Sequence, residues 1–181
     1  MNSVIICEGK SDKNFLTLFL KSLNITISDN NFLILGNKSN FFKTDNEVYT
    51  QLLLDIELEK VGKVLFVIDA DDIGNDSKYG GYENTKKELT KITSKIDNSK
   101  ICIICDPKTK TGYLESLILS TIGENHKKCI NDFLNCSEFK GKENKKAILH
   151  QIYKTAYPQA PYNFKHKNFN NLNQELTELF Q

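Results

Sequence analysis

KVLFVIDADD, residues Lys63 to Asp72, is a short apolar run closed by three carboxylates within four residues. Val64, Leu65, Phe66, Val67 and Ile68 follow one another without a polar break and are rich in β-branched and aromatic side chains. A strand buried on both faces of a parallel sheet reads this way. Asp69, Asp71 and Asp72 fall at its carboxyl end, which is where open α/β sheets bind ligands. Two like charges about 4 Å apart repel by roughly 4 kcal/mol at an effective dielectric near 20, so a carboxylate cluster on the rim of a core calls for a cation. Hard oxygen donors suit Mg²⁺, with Mn²⁺ as its substitute, better than zinc.

The flanks supply the rest of an α/β pattern. Ser3 to Cys7 is a second apolar strand, and it stops at Glu8-Gly9, which places Glu8 at a carboxyl edge as well. Ser11 is a plausible N-cap for a helix whose Phe15, Leu16, Phe19, Leu20 and Leu23 recur at helical spacing. Phe32 to Leu35 reads as a strand ending at Gly36, and Asn37 to Thr44 as a polar loop apart from Phe41 and Phe42. A helix from about Asp45 to Lys60 turns Val48, Leu52 and Ile56 inward and is closed by Gly62. Beyond the aspartates, Ile73 to Gly81 is rich in Gly, Asn, Asp and Ser, a loop placed to close over a ligand. A helix from about Tyr82 to Ile96 and a strand from Lys100 to Cys105 complete the alternation. Strands alternating with helices of this length predict a parallel sheet with right-handed crossovers, here a Rossmann-like four-stranded one with helices on both faces.

From Gly112 onward the chain reads as helical, with helices at Tyr113 to Ile122, Ala147 to Tyr153 and Leu172 to Phe180. We divide it into an α/β domain at 1–122 and a helical C-terminal extension at 123–181 that packs on the core. Between Glu138 and Asn170, seven lysines (140, 142, 145, 146, 154, 165, 167) stand against two acids, interleaved with Phe139, Tyr153, Tyr157, Tyr162, Phe164 and Phe169. Such a mixture suits a nucleic-acid strand, and it equally suits a lysine-faced helix with aromatics in the core.

Composition narrows the classes. At 181 residues and 39% hydrophobic content the chain has enough material for a real core. No apolar run approaches the roughly 18 residues that span a bilayer. The start, MNSVIICEGK, enters a strand without signal-peptide features, which argues for the cytoplasm. The five cysteines agree, since Cys102 and Cys105 fall on opposite faces of a strand, and Cys129 and Cys136 are too far apart for a zinc knuckle. The net charge of +1 gives the whole molecule no strong pull on nucleic acid, and with no arginine every cationic contact to phosphate must come from lysine.

In a 2-1-3-4 strand order the first and third strands are neighbours, and Glu8 then converges with Asp69, Asp71 and Asp72 at the topological switch point. The pair VIICEG and LFVIDADD, in this order and with this helix-bearing spacing, resembles the Toprim domain of topoisomerases, primases and related nucleases, over about the first 120 residues. The EGxxD at Glu8 to Asp12 is similar to the EGxxE of the overcoming-lysogenisation-defect (OLD) nucleases, with aspartate for the second glutamate and without their ATPase portion. Gly112-x-Leu114-Glu115 and the lysine-rich tail resemble small stand-alone Toprim proteins.

The resemblance implies that Glu8, Asp69 and Asp71 hold Mg²⁺, with Asp12, Asp72 and Glu115 as further carry-overs. It leaves open whether Glu8 is a ligand or a general acid/base, and whether a second metal binds. The implied activity is metal-dependent phosphodiester chemistry on DNA or RNA. Metal ions of this kind activate the attacking water and stabilise the leaving oxygen. Lys10, just past Gly9 at the start of the first helix, is the candidate phosphate contact. The alternative is a non-catalytic module that binds nucleic acid or docks an ATPase partner. A phospho-aspartate reading of DADD fits badly, because haloacid-dehalogenase phosphatases carry their motif on the first strand with Thr or Val where Ile73 stands. The three histidines are isolated in sequence and receive no role.

Overall fold

β3 (Val61–Asp69) runs through the middle of an all-parallel sheet of four strands ordered β2-β1-β3-β4, with β1 (Asn2–Cys7), β2 (Phe32–Ile34) and β4 (Ser99–Ile104). The computed structural model describes residues 1–136, 148–153 and 162–181. β3 pairs in parallel with β1 through Ile6 and Phe66 and with β4 through Asp69 and Ile104, so the central run is shielded by strands on both sides.

Its side chains alternate between two cores. Leu65 and Val67 join Ile5, Cys7, Cys102 and Ile104 under α1 (Lys10–Ser22), α4 (Leu114–Leu119) and the C-terminal helix (Asn170–Phe180). Val64, Phe66 and Ile68 join Val4, Ile6 and Ile103 under α2 (Glu47–Glu57) and α3 (Tyr82–Thr93). Each fully buried side chain of this size contributes roughly 1.5–3 kcal/mol, so both helical layers are held by the same strand. α5 (Glu124–Cys136) follows α4. The C-terminal part is no appendage, since Tyr153, Tyr162, Phe169, Leu172 and Leu176 belong to the first of these cores.

Several boundaries differ from the sequence reading, each for a local reason. α2 is ended by Glu59 and not by Gly62: Glu59 takes a left-handed conformation (φ 55°), and the Lys60 N–H reaches back to the Asp55 carbonyl at 2.8 Å. That is a Schellman closure. Gly62 lies inside β3 instead, where a Cβ would strike Met1. The expected loop after β2 contains a 3₁₀ turn, Lys38–Phe42, that buries Lys38 and Phe41. α4 stops at Leu119, short of the expected Ile122, and the last helix starts at Asn170, two residues earlier than its apolar stripe indicates. Of the helix expected at Ala147 to Tyr153, residues 148–153 are helical and Ala147 lies outside the described residues.

All five cysteines are unpaired, and Cys102 and Cys105 sit in opposite cores as their spacing requires. Burial pushes the Cys7 and Cys102 thiols up to about 12, which makes both inert packing groups. Among the described residues, no helix is long and apolar enough to cross a membrane.

Candidate carboxylate site

The strand order sets Glu8 beside the aspartates. Glu8 lies two residues past Ile6, which pairs with Phe66, so it stands level with Ile68 and one step short of Asp69. Neighbouring strands run about 4.8 Å apart. Just past the end of β1, the Glu8 carbonyl accepts from the Gly36 N–H at 2.8 Å, and both Glu8 and Asp69 are half-buried.

The pleat then divides the acids. Asp69 lines a small cavity with Asp12, Phe15 and Leu16 on the α1 side of the sheet. Ala70 is buried in the opposite core, and Asp71 turns into a left-handed conformation (φ 58°). The Asp71 N–H donates to the Gly112 carbonyl at 2.7 Å, and the Gly112 N–H returns a bond of 3.1 Å to the Asp71 carbonyl. The DADD turn is thereby clamped to the loop that enters α4.

Asp71 meets a residue that the sequence reading passed over. Lys38 is 8% exposed, and its ammonium donates to the Ala70 carbonyl at 2.7 Å and to Thr85 Oγ1 at 3.2 Å while standing 3.4 Å from Asp71 Oδ2. Loss of water pulls the Lys38 pKa down, and the charges of Asp71, Asp69 and Asp76 oppose that shift. Part of the cation that the acidic cluster calls for is therefore built into the chain. The same 3₁₀ turn is stacked on the loop after the aspartates, with Phe42 and Tyr79 parallel within 4° at 4.1 Å between ring centroids. Topology was the signal that could have found Lys38: in a 2-1-3-4 sheet the loop leaving β2 opens at the same edge as those leaving β1 and β3.

Asp12 has local employment, and the other candidates lie in the turns around it. Asp12 Oδ2 accepts the Gly9 N–H at 2.8 Å, the helix-capping role that competes with metal ligation. The Asp72 carbonyl accepts the Asn75 N–H at 3.0 Å, which starts the turn of the following loop. Asp76 Oδ1 then accepts the N–H groups of Lys78 and Tyr79 and holds that loop together. Lys10 is exposed in the first turn of α1.

Glu115 is buried, and its Oε1 lies 2.9 Å from His150 Nε2, whose Nδ1 in turn lies 3.1 Å from the Tyr162 hydroxyl. Burial, followed by the nearby Glu115 charge, raises the Tyr162 pKa. His150 thus has a partnership that no sequence spacing announces.

The described rings of the basic and aromatic tail pack inward. Tyr153, Tyr162 and Phe169 are buried, and Phe164 rests on Phe19 with ring centroids 4.7 Å apart. These rings are core and offer no face to a base. Phe139, Tyr157 and the lysines at 140, 142, 145, 146 and 154 lie outside the described residues.

Among the described residues, no three or more His, Cys, Asp or Glu side chains come close enough together to hold a metal in a protein cage. Mg²⁺ does not require one: it keeps several waters and is commonly bound through one or two carboxylates plus substrate phosphate. The hard oxygen donors of Glu8 and Asp69 on adjacent strand tips fit that mode. They do not fit zinc.

A family model described as "Protein of unknown function (DUF3226)" matches residues 2–181. No curated protein and no solved structure matches the chain.

Proposed function

We propose that this chain, which belongs to the DUF3226 family, carries out Mg²⁺-dependent phosphodiester chemistry on nucleic acid at the tips of β1 and β3, as a nuclease-like Toprim protein of the cytoplasm. The observation that carries this reading is the β2-β1-β3-β4 order, because it makes Glu8 and Asp69 neighbours although sixty residues separate them. When bound, the ion would neutralise phosphate charge and lower the pKa of an attacking water. Glu8 and Asp69 would hold it. Lys38 stands 3.4 Å from the Asp71 carboxylate, and the loop from Ile73 to Gly81 is pinned by Asp76 and by Tyr79 on Phe42. Lys10, exposed beside Gly9, supplies a cation for a substrate phosphate.

The test is incubation of labelled DNA and RNA, single- and double-stranded, with Mg²⁺ or Mn²⁺ and either wild-type or Asp69→Asn protein. Cleavage should require the metal and fall by at least about 100-fold in the variant. Absence of metal-dependent cleavage, or cleavage undiminished in Asp69→Asn, would overturn the enzymatic reading.

One observation favours the alternative of a non-catalytic module that binds nucleic acid or an ATPase partner: the Lys38 ammonium already neutralises part of the acidic cluster. Nucleic-acid binding without turnover, or co-purification of an ATPase, would select it.

A further inference from the structure

β4 is an edge strand, and its end from Cys102 to Ile104, with Cys105 just beyond it, floors a cleft of about 470 Å³ between the starts of α3 and the C-terminal helix. The described residues lining this cleft include Lys110, Lys167 and the amide side chains of Asn168, Asn170 and Asn171, and no carboxylate. In a chain whose 24 basic and 23 acidic residues nearly cancel, such a wall is a local excess of positive potential. Leu117 and Leu172 add an apolar floor.

The cleft also adjoins the acids. Tyr82, on its rim, donates its N–H to the Lys110 carbonyl at 3.0 Å, and the preceding Gly81 N–H donates at 2.9 Å to Ala70, the residue between Asp69 and Asp71. The Lys110 and Lys86 ammonium groups stand 5.1 and 5.9 Å from the centre of the Tyr82 ring, both on exposed side chains. An aromatic ring flanked by movable cations is what an unpaired base and its phosphates recognise. The buried rings of the tail have no such freedom.

We propose that the β4-edge cleft seats one nucleotide unit of single-stranded nucleic acid, the base against Tyr82 and the phosphates at Lys110 and Lys167, and so leads the strand to the carboxylates. The proposal rests on the phosphodiester reading above for the chemistry of the ligand. A duplex does not satisfy the cleft, because its bases are stacked on one another and present no face to Tyr82.

The test titrates a short fluorescein-labelled oligothymidylate by fluorescence anisotropy against full-length Asp69→Asn protein in Mg²⁺, so that turnover does not consume the strand. Adding Tyr82→Ala should weaken binding about tenfold, with Tyr82→Phe retaining it. Adding Lys110→Gln with Lys167→Gln should reduce the slope of log affinity against log salt by about 1.4. Affinity and salt slope unchanged in these variants would overturn the cleft assignment, as would a dimer formed through β4 that excludes the oligonucleotide. The two readings fail separately: loss of catalysis leaves these binding effects in place, whereas a protein that cleaves normally and is indifferent to Tyr82, Lys110 and Lys167 refutes only the cleft.

Discussion

Replacing Lys38 with methionine is expected to destabilise the fold by about 3 kcal/mol, in the range found when one partner of a buried ion pair is removed. Methionine keeps the length and apolar stem of the side chain, so the loss isolates the ammonium. The ammonium serves the Ala70 carbonyl, which the Gly81 N–H and the Thr85 hydroxyl also reach, together with the Thr85 hydroxyl and the Asp71 carboxylate. A buried acceptor left without a donor costs about 1–3 kcal/mol, and an unpaired charge costs more. Burial of the ammonium works the other way, as the lowered Lys38 pKa shows. The geometry decides the sign, because water that would have solvated the ammonium has been replaced by protein oxygens at hydrogen-bonding distance. In a chain of this length each kcal/mol moves the thermal midpoint by about 2–4 °C, so a drop of roughly 6–12 °C is expected. Circular dichroism at 222 nm during heating and urea titration measures both quantities. A loss below about 1 kcal/mol would mean that the ammonium contributes little beyond the other donors that already reach Ala70. The double variant with Asp71→Asn should recover part of the loss, since it removes the carboxylate charge that the ammonium faces.

Phe169→Ala should cost a similar amount or more, about 3–5 kcal/mol. Phe169 is 1% exposed and meets Phe15, Phe19 and Phe164 at ring-centroid distances of 6.0, 5.5 and 5.9 Å. Its deletion empties the place where the C-terminal helix keys into α1. Edge-to-face packing of the Phe19 pair adds to the area lost. If the extension were merely draped over an independent α/β domain, the variant would loosen the C-terminus and leave the main unfolding transition where it was. A single cooperative transition displaced as a whole is the expected result, measured by urea unfolding.

Those two residues also mark how far the sequence could be read. β3 was legible because a run buried on both faces leaves no polar residue to confuse its period; alternation alone predicts a parallel sheet but does not fix its order, and the 2-1-3-4 order came with the Toprim resemblance. The positions of Glu8 and Asp69 at the ends of their strands were legible for the same reason. Lys38 was not, because a lysine after a strand looks like any solvated lysine until the turn that carries it is known to fold back over Ala70. Glu115 and His150 lie far apart in sequence, and their 2.9 Å contact depends on how the C-terminal segment returns to α4. The aromatics of the tail were readable as rings but not as core or surface, since that choice is made by α1, whose Phe15 and Phe19 receive them. The acids expected to converge are divided: strand alternation sends Asp69 toward Asp12, and the left-handed turn at Asp71 sends that carboxylate to Lys38.

What the functional account needs above all is that two strand tips share one ion. Titration of Mn²⁺ into the protein, followed by the loss of the free-ion electron paramagnetic resonance signal, measures this without reference to turnover or substrate. A single bound ion per chain is expected, lost in Glu8→Gln and likewise in Asp69→Asn, while both variants unfold at the temperature of the parent. Mn²⁺ binding that survives both substitutions, or that never occurs in the parent, would contradict it.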